Sequence, residues 1–370
     1  MKICIVSMNL AAYFEAQPHS LFAGAEAQAA FVADSLRRSG QDVHLIVADH
    51  PPGARIPYPT VSAFRTNDGV PVVRFFHPRL SGILAALNRV GADLYYQRNA
   101  GMITGVVAAH CRKHGKVFVY GAGSDADFSF RGVLIDGLRD RVMFHYGLRH
   151  AHGVVVQNCA QAESAAPVIK SPVVMIPNGV FPASPGNGER DGTILYAGAL
   201  RAVKRPNLFI ELARRIPERK FVMLGGSLGT ELDYGAAIEK EAAGVPNLTL
   251  TGWRPHSDVI REIAGAALVV NTSAVEGFPN VYLEAWNLGV PVVSFNDVDG
   301  LLAREHLGVL CTDLDDMEGK IRALLNDDAL RRETGARARR LVEERFSPAV
   351  LGPRYVQFFE MLLERNRRGV

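Results

Sequence analysis

The chain has 370 residues, 48% of them hydrophobic and 21% charged, with 41 Lys/Arg against 38 Asp/Glu for a formal net charge of +3. That length exceeds one ordinary domain and sets an expectation of two, each with ample core. So even a charge balance gives no sign of bulk nucleic-acid binding, and no apolar run approaches the roughly 18 residues of a membrane span.

The charge is uneven along the chain. Residues 1–182 hold 17 basic and 12 acidic side chains, a net of +5, and the remainder holds 24 and 26, a net of −2. A basic first half suits an acidic acceptor or an anionic membrane surface, although ordinary variation in surface charge gives the same balance. Cys4, Cys111, Cys159 and Cys311 form no CxxC or metal-ligand spacing and read as reduced thiols of a cytosolic protein. The start, MKICIVSMNL, is too short for a signal peptide and reads as a first strand.

In chain order, Lys2–Val6 is an apolar strand followed by a Gly/Ala loop around Gly24, a helix over Ala25–Ser39 and a strand over Val43–Val47. This is a βαβ unit with its glycine loop at the carboxyl end of the first strand, where doubly wound sheets bind ligands. Val70–Phe76 reads as a strand, Ser81–Val90 as a helix and Asp93–Tyr96 as a strand running into Gln97-Arg98. A helix over Gly101–His114, a strand over Lys116–Tyr120, a helix over Leu134–His150 and strands at Gly153–Val156 and Val173–Ile176 complete one alternating domain.

Pro182–Gly192, rich in Pro, Gly and charge, reads as a linker. The alternation then restarts. Strands are expected at Thr193–Tyr196, Lys220–Leu224, Leu248–Thr251, Leu268–Asn271, Val290–Phe295 and Gly308–Cys311. Helices fall at Pro206–Arg215, Thr230–Ala243, His256–Ala264, Val281–Leu288 and Asp315–Leu325. Two amphipathic helices, Ala329–Arg345 and Pro353–Arg367, close the chain, separated by Ser347-Pro348 and Gly352-Pro353. The expected fold class is α/β, with two Rossmann-like doubly wound parallel-sheet domains facing a cleft. Residues 1–182 form the first domain, on which a C-terminal helix over 353–370 packs back, and residues 183–352 form the second.

The most informative stretch is Thr272–Val293, between two apolar strand-like runs. Glu276 and Glu284 stand eight residues apart, separated by Gly277-Phe278-Pro279-Asn280 and the start of a helix. Asn280 suits an N-cap by residue type. A helix N-terminus offers bare N–H groups and a positive dipole end. Two carboxylates beside such an end suit a ligand carrying both hydroxyls and phosphates, as a nucleotide-sugar does. A plain crossover with solvated glutamates has the same pattern.

Glu276-Gly-Phe-Pro, Leu283-Glu284-Ala285-Trp286 and Gly289-Val-Pro-Val-Val together resemble the E-x7-E signature of retaining GT-B glycosyltransferases, of the family 4 or glycosyl transferases group 1 type. The Gly-Ala-Glu loop at 24–26, Met175-Ile-Pro-Asn-Gly-Val180, Tyr196-Ala-Gly198, Lys204-Arg-Pro, Leu224-Gly225-Gly226 and Thr251-Gly252-Trp253 fit the same pattern in order. The resemblance implies that Glu284 binds the nucleotide ribose, Glu276 contacts the donor sugar, and backbone amides of Gly277, Phe278, Pro279 and Asn280 line the sugar and diphosphate. Gly24, Gly198 and Gly225 would complete the donor site, with Trp253 either near the base or packed at the rim.

Lys204 takes the place of the lysine that neutralises the leaving diphosphate. The arginine of the pattern stands directly after Gly198, a place held here by Ala199, and Arg201 and Arg205 lie nearby as alternatives. Many relatives carry a histidine where Ser124-Asp125 stands here, which with Arg98 makes an acceptor or sugar assignment. No metal and no cofactor are implied beyond a UDP- or GDP-sugar donor. Asp125-Ala-Asp127 and Asp297-Val-Asp299 spell the D-x-D of metal-dependent enzymes, but that spelling is short and common by chance.

The function implied is a retaining hexosyltransferase-type enzyme acting on a glycan or lipid-linked acceptor hydroxyl in polysaccharide or glycolipid synthesis. Its expected place is cytoplasmic, with peripheral contact at the inner face of the membrane through the N-terminal domain as an open reading. Arg139, Arg141, His145, Arg149, His150 and His152 would supply the basic face. Two alternatives stay open: a non-catalytic nucleotide-sugar-binding subunit and a GT-B sugar-nucleotide epimerase. An NAD-dependent enzyme is disfavoured, because no GxGxxG follows a first strand.

Overall fold

The computed structural model describes residues 1–15, 24–50, 55–65, 75–129, 132, 133, 135, 137–183, 190–227 and 231–369. The described residues up to Gly179, with the helix that begins at Pro348, make one compact unit, and those from Val180 to Ser347 make another.

The first unit runs β1 (Lys2–Val6), α1 (Leu10–Glu15), α2 (Gly24–Arg38), β2 (Asp42–Val47), β3 (Thr60–Ser62), α3 (Ser81–Val90), β4 (Leu94–Arg98), α4 (Met102–His114), β5 (Val117–Gly121), α5 (Leu138–Arg149), β6 (Gly153–Val156), α6 (Cys159–Ala165) and β7 (Val173–Met175). Its strands form one parallel sheet in the order β3-β2-β1-β4-β5-β6-β7. Ile3-Cys4-Ile5-Val6 and Val117-Phe118-Val119-Tyr120 are wholly buried, as strands covered on both faces must be.

The expected strand at Val70–Phe76 falls largely on residues 66–74, outside the described residues. Phe75 and Phe76 themselves belong to a helical turn over Phe75–Leu80. The helix expected from Leu134 begins at Leu138, because Gly137 at φ 91° turns the chain out of helical geometry just before it. Of the expected linker, residues 184–189 also lie outside the described residues.

The second unit runs β8 (Ile194–Ala197), α7 (Pro206–Arg215), β9 (Phe221–Leu224), α8 (Leu232–Ala243), β10 (Leu248–Leu250), α9 (His256–Gly265), β11 (Leu268–Asn271), α10 (Asn280–Asn287), β12 (Val292–Ser294), β13 (Gly308–Leu310), α11 (Leu314–Asn326) and α12 (Asp328–Arg345). Its parallel sheet has the order β10-β9-β8-β11-β12-β13. Alternate strand residues serve opposite faces. Ile194 and Tyr196 pack with Phe209 and Ile210 of α7 and Met317 and Ile321 of α11. Leu195, Val269 and Val292 pack with Ile263 of α9 and with Tyr282, Leu283 and Trp286 of α10. Helices thus cover both faces of a doubly wound sheet.

The last helix corrects an expectation. It does not start after Gly352-Pro353 but runs unbroken as α13 (Pro348–Arg368), with Pro353 inside it. Pro348 sets the first turn, and Pro353 merely has no N–H to offer the Ala349 carbonyl. The tertiary fit favours continuity: a Cβ on Gly352 would stand 2.8 Å from the Ser35 carbonyl oxygen of α2, so glycine lets the two helix backbones touch. Tyr355 packs edge-on and Phe359 at a tilt against Tyr96, at 6.2 and 6.1 Å between ring centres. Arg354 and Asn366 donate to the carbonyls of Met175 and Gly115 at 2.7 and 3.1 Å.

Candidate functional site

In a doubly wound sheet, ligands bind beyond the carboxyl ends of the strands where the strand order reverses. In the second unit that point lies between β8 and β11. The loop after β8 and the loop after β11 are stitched together there. Thr272 Oγ1 donates to the carbonyls of Lys204 and Arg205, each at 2.9 Å. Ala274 N–H donates to the Val203 carbonyl at 2.8 Å.

Arg205 completes the seam. Its backbone takes φ 47°, between the 3₁₀ turn Ala202–Lys204 and α7. Its guanidinium donates to the Thr272 and Ser273 carbonyls at 2.7 and 2.9 Å and lies 5.0 Å from the Phe295 ring centre. The structure therefore spends Arg205 on holding two loops together.

Lys204 and Glu276 meet at this seam, although they are 72 residues apart in the chain. Lys204 Nζ lies 2.6 and 2.8 Å from the two carboxylate oxygens of Glu276. Asn271 Nδ2 and Ser273 Oγ donate to Glu276 Oε1 at 3.1 and 2.5 Å. The Glu276 side chain is only 8% exposed and Lys204 is 31% exposed, so the carboxylate sits low with the ammonium above it. Buried carboxylates need such partners.

Arg201 points elsewhere. It pairs with Glu231 at 2.9 Å, while the Ala202 N–H donates to the other oxygen of Glu231 at 2.7 Å. That backbone hydrogen bond and Arg201 hold the Glu231 carboxyl below its usual range.

Gly198, Gly225, Gly226 and Trp253 come together at the ends of β8, β9 and β10. A Cβ on Gly225, at φ 135°, would stand 1.9 Å from the Gly198 carbonyl oxygen. One on Gly226 would stand 2.6 Å from Trp253 Nε1, which donates to the Ser227 carbonyl at 3.3 Å. The Trp253 indole is thus laid on a glycine floor.

After β11 the chain passes Gly277 and turns into α10. Phe278 and Pro279 are buried, and the Phe278 ring packs on Phe346 at 5.6 Å. Asn280 is not the cap expected from its residue type. Pro279 holds the cap position in extended geometry, φ −68° and ψ 123°, and Asn280 is the first helical residue. Proline fixes the chain direction there but leaves the first turn without a side-chain acceptor.

Glu284 stands one turn further along α10, 14% exposed. Its Oε1 lies 2.8 Å from Nε2 of His256, the first residue of α9. Burial alone would lower the His256 imidazole, but the hydrogen bond and charge of Glu284 outweigh it and the net shift is upward.

The remaining residues singled out in the sequence lie in the first unit. Gly24 opens α2. Arg98, at the end of β4, donates to Asn178 Oδ1 at 2.7 Å. Ser124 is engaged as a cap, its Oγ accepting from the Ala126 N–H at 3.2 Å. Asp125 keeps a buried Oδ1 without a hydrogen bond. Asp127 accepts from Tyr120, Gly123 and Ser124 at 2.8, 2.7 and 3.2 Å, and burial raises its carboxyl. Asp297 caps the turn at Leu302 and Ala303. One aspartate of each D-x-D pair, Asp127 and Asp297, thus has an internal use, and among the described residues no group of three His, Cys, Asp or Glu is placed to hold a metal.

Sequence reasoning missed Asn271, Ser273, Glu231 and His256. Only geometry assigns them, because Glu231 and His256 meet partners distant in the chain and Asn271 and Ser273 reach Glu276 through a local turn.

Residues 180–341 match the family model described as Glycosyl transferases group 1. The chain is 26% identical over 194 residues to the lipopolysaccharide 1,6-galactosyltransferase of Salmonella typhimurium, covering 51% of this chain and 47% of that protein. It is 27% identical over 115 residues to a D-inositol 3-phosphate glycosyltransferase of Mycobacterium sp., covering 30% and 26%. The matched stretches thus span less than half the length of these curated relatives. Among solved structures, a sucrose-phosphate synthase from Thermosynechococcus elongatus superposes with a TM-score of 0.78 at 19% identity, over 98% of this chain and 99% of that one. Anabaena Alr3699/HepE in complex with UDP and glucose gives 0.78 at 16%, over 97% and 99%. Such identities speak for fold alone, and the fold is GT-B.

Proposed function

We propose that the protein is a retaining glycosyltransferase of the family 4 type, moving a sugar from a UDP- or GDP-sugar to an acceptor hydroxyl. The observation that carries this reading is the Lys204–Glu276 pair at the point where the second sheet reverses its strand order, with Glu284 one turn into the adjacent helix. A cation, a buried carboxylate and a carboxylate with a free oxygen suit diphosphate, sugar and ribose respectively. The match over residues 180–341 supports it. So do the names of the curated relatives, both glycosyltransferases, and the UDP and glucose held by a structural neighbour.

In this reading the second unit binds the donor and the first unit the acceptor. The acceptor oxygen bonds to the anomeric carbon on the face the phosphate leaves. The bond from that carbon to the phosphate oxygen breaks, and its electron pair goes to the diphosphate. The acceptor proton passes to the departing phosphate oxygen, so the step needs no separate protein base. Lys204 stabilises the negative charge where it develops, and Glu276 holds hydroxyls of a sugar that becomes oxocarbenium-like. The start of α10 presents the positive end of its dipole to the diphosphate in this reading.

The acceptor class we infer is a glycan or lipid-linked glycan, the chemistry that the lipopolysaccharide enzyme's name carries. We further infer cytoplasmic residence, with peripheral contact at a membrane surface through α5, where Leu138 and Val142 are 70% and 51% exposed beside Arg139, itself paired with Asp140 at 2.6 Å. No described helix is long and apolar enough to cross a membrane.

A thermal-shift screen of UDP-, GDP- and ADP-sugars tests the reading, since a ligand that binds only the folded state raises Tm. At least one donor should raise Tm, and the product formed with an added acceptor should keep the donor's anomeric configuration by NMR. An inverted product would sink the retaining mechanism, and no shift with any donor would sink the whole reading.

A further inference from the structure

We propose that His256 is the positioning residue for the nucleotide ribose: it holds the Glu284 carboxylate by one oxygen from the neighbouring helix, so that the other oxygen is presented to the ribose hydroxyls. This rests on the reading of Glu284 given above and adds to it a residue that no motif marks.

The geometry is specific. Glu284 is on α10 and His256 is on α9, so the contact ties two helices together at one side-chain atom, Oε1, at 2.8 Å. Among the described residues no other group hydrogen-bonds to the Glu284 carboxylate, which leaves Oε2 for a ligand. The carboxylate is 14% exposed and the imidazole 34% exposed, so the pair faces solvent at its rim without being bathed in it.

A glutamate has three side-chain torsions, and an untethered one loses that freedom when a ligand arrives. Fixing the carboxylate beforehand removes that cost from binding. His256 opens α9 directly after Pro255, whose ring restricts the backbone entering the helix, so the imidazole reaches Glu284 from a set backbone position. Nothing in this arrangement bears on the diphosphate or the base, so its effect should be confined to the sugar of the nucleotide.

The test is isothermal calorimetry with UDP and GDP and with their 2′-deoxy counterparts, on the full chain and on His256→Ala, His256→Gln and Glu284→Ala. The wild-type chain should prefer the ribonucleotide. His256→Ala should weaken ribonucleotide binding about tenfold, the value of one lost hydrogen-bond constraint, and leave the deoxy form within about twofold. His256→Gln, whose amide can donate from a similar place, should restore most of the preference. A loss shared equally by ribo and deoxy forms, or a ribose preference untouched in both His256 variants, overturns the proposal. If that preference vanishes in Glu284→Ala but survives in both His256 variants, the ribose role of Glu284 stands and only the positioning role falls. If neither UDP nor GDP binds the wild-type chain, the functional reading falls and takes this inference with it. Should His256→Ala fail to fold, His256→Phe takes its place: it fills the space but cannot donate, so it should show the same ribose-specific deficit, where a merely structural histidine would leave none.

Discussion

Lys204 Nζ lies within hydrogen-bond reach of both carboxylate oxygens of Glu276, at 2.6 and 2.8 Å, across a seam that joins the ends of β8 and β11. The two charges satisfy each other. A diphosphate binding here would share the lysine with Glu276 and would find it already fixed in place.

Replacing Lys204 by alanine should lower kcat roughly 100-fold or more, the cost of removing one group that stabilises charge developing in the transition state. It should also lower Tm, because Glu276 would be left buried without its counter-charge. Arg201→Ala should cost less in kcat, since Arg201 is turned onto Glu231. Steady-state kinetics on both variants checks the order; equal losses would place Arg201 beside Lys204 in function.

The His256–Glu284 pair should make stability depend on pH with a definite sign. The imidazole's folded pKa is raised above its ordinary value of about 6.5. Its contribution is therefore full below that ordinary value and is lost as pH rises through the higher folded pKa. Glu284→Gln removes the charge and leaves burial, which lowers the imidazole, so the dependence should disappear or reverse, with stability rising with pH. Tm curves of both chains from pH 5 to 9 would show it; a wild-type advantage that does not shrink as pH rises would contradict it.

Gly225→Ala should destabilise the second unit by about 1–3 kcal/mol, since φ 135° is strained for any side chain. The new Cβ would also press on the Gly198 carbonyl oxygen, 1.9 Å away, and displace the glycine floor under Trp253. Urea unfolding measures the first effect. Trp253 fluorescence reports the second, alongside the signal of Trp286.

Trp286 of α10 is fully buried in the core beneath the site, and its indole Nε1 has no hydrogen bond. Trp286→Ala should cost about 3–5 kcal/mol as a cavity. Trp286→Phe should cost clearly less, because it keeps an aromatic ring and removes an unsatisfied donor. Denaturant midpoints of the two variants decide this, and equal costs would mean that the indole nitrogen is not the liability it looks to be.

Much of the architecture was legible because parallel strands buried on both faces are plain apolar runs. Gly153–Val156 and Leu268–Asn271 have the bounds expected of them, as do the helices Ser81–Val90 and Pro206–Arg215. The short pieces were not legible. Thr60–Ser62 is a three-residue edge strand with a polar residue at each end, and Cys159–Ala165 is a seven-residue helix whose main signal is the Asn158 cap. Pro353 looked like a helix break because local chemistry says so. The contact of Gly352 with α2 overrides it, and no local pattern shows such a contact.

The site followed the same division. Glu276, Glu284 and Lys204 could be picked out by spacing and resemblance. That Lys204 rests on Glu276, that Arg205 clips two loops and that His256 grips Glu284 are facts of through-space distance, with partners 28 to 72 residues apart. A histidine opening a helix after a proline carries no signal of its own.

The return of α13 to the first unit has a consequence for how the chain is made. A ribosome delivers the second unit as one uninterrupted segment, and that segment can close on itself as soon as it emerges. The first unit is begun earlier but lacks its last helix until then. In the interval Ser35 of α2, Tyr96 of β4 and Gly153 of β6 are uncovered, since Gly352, Tyr355, Phe359 and Leu362 are what lie against them. The part started first is therefore finished last, and it is the part a chaperone would have to shelter.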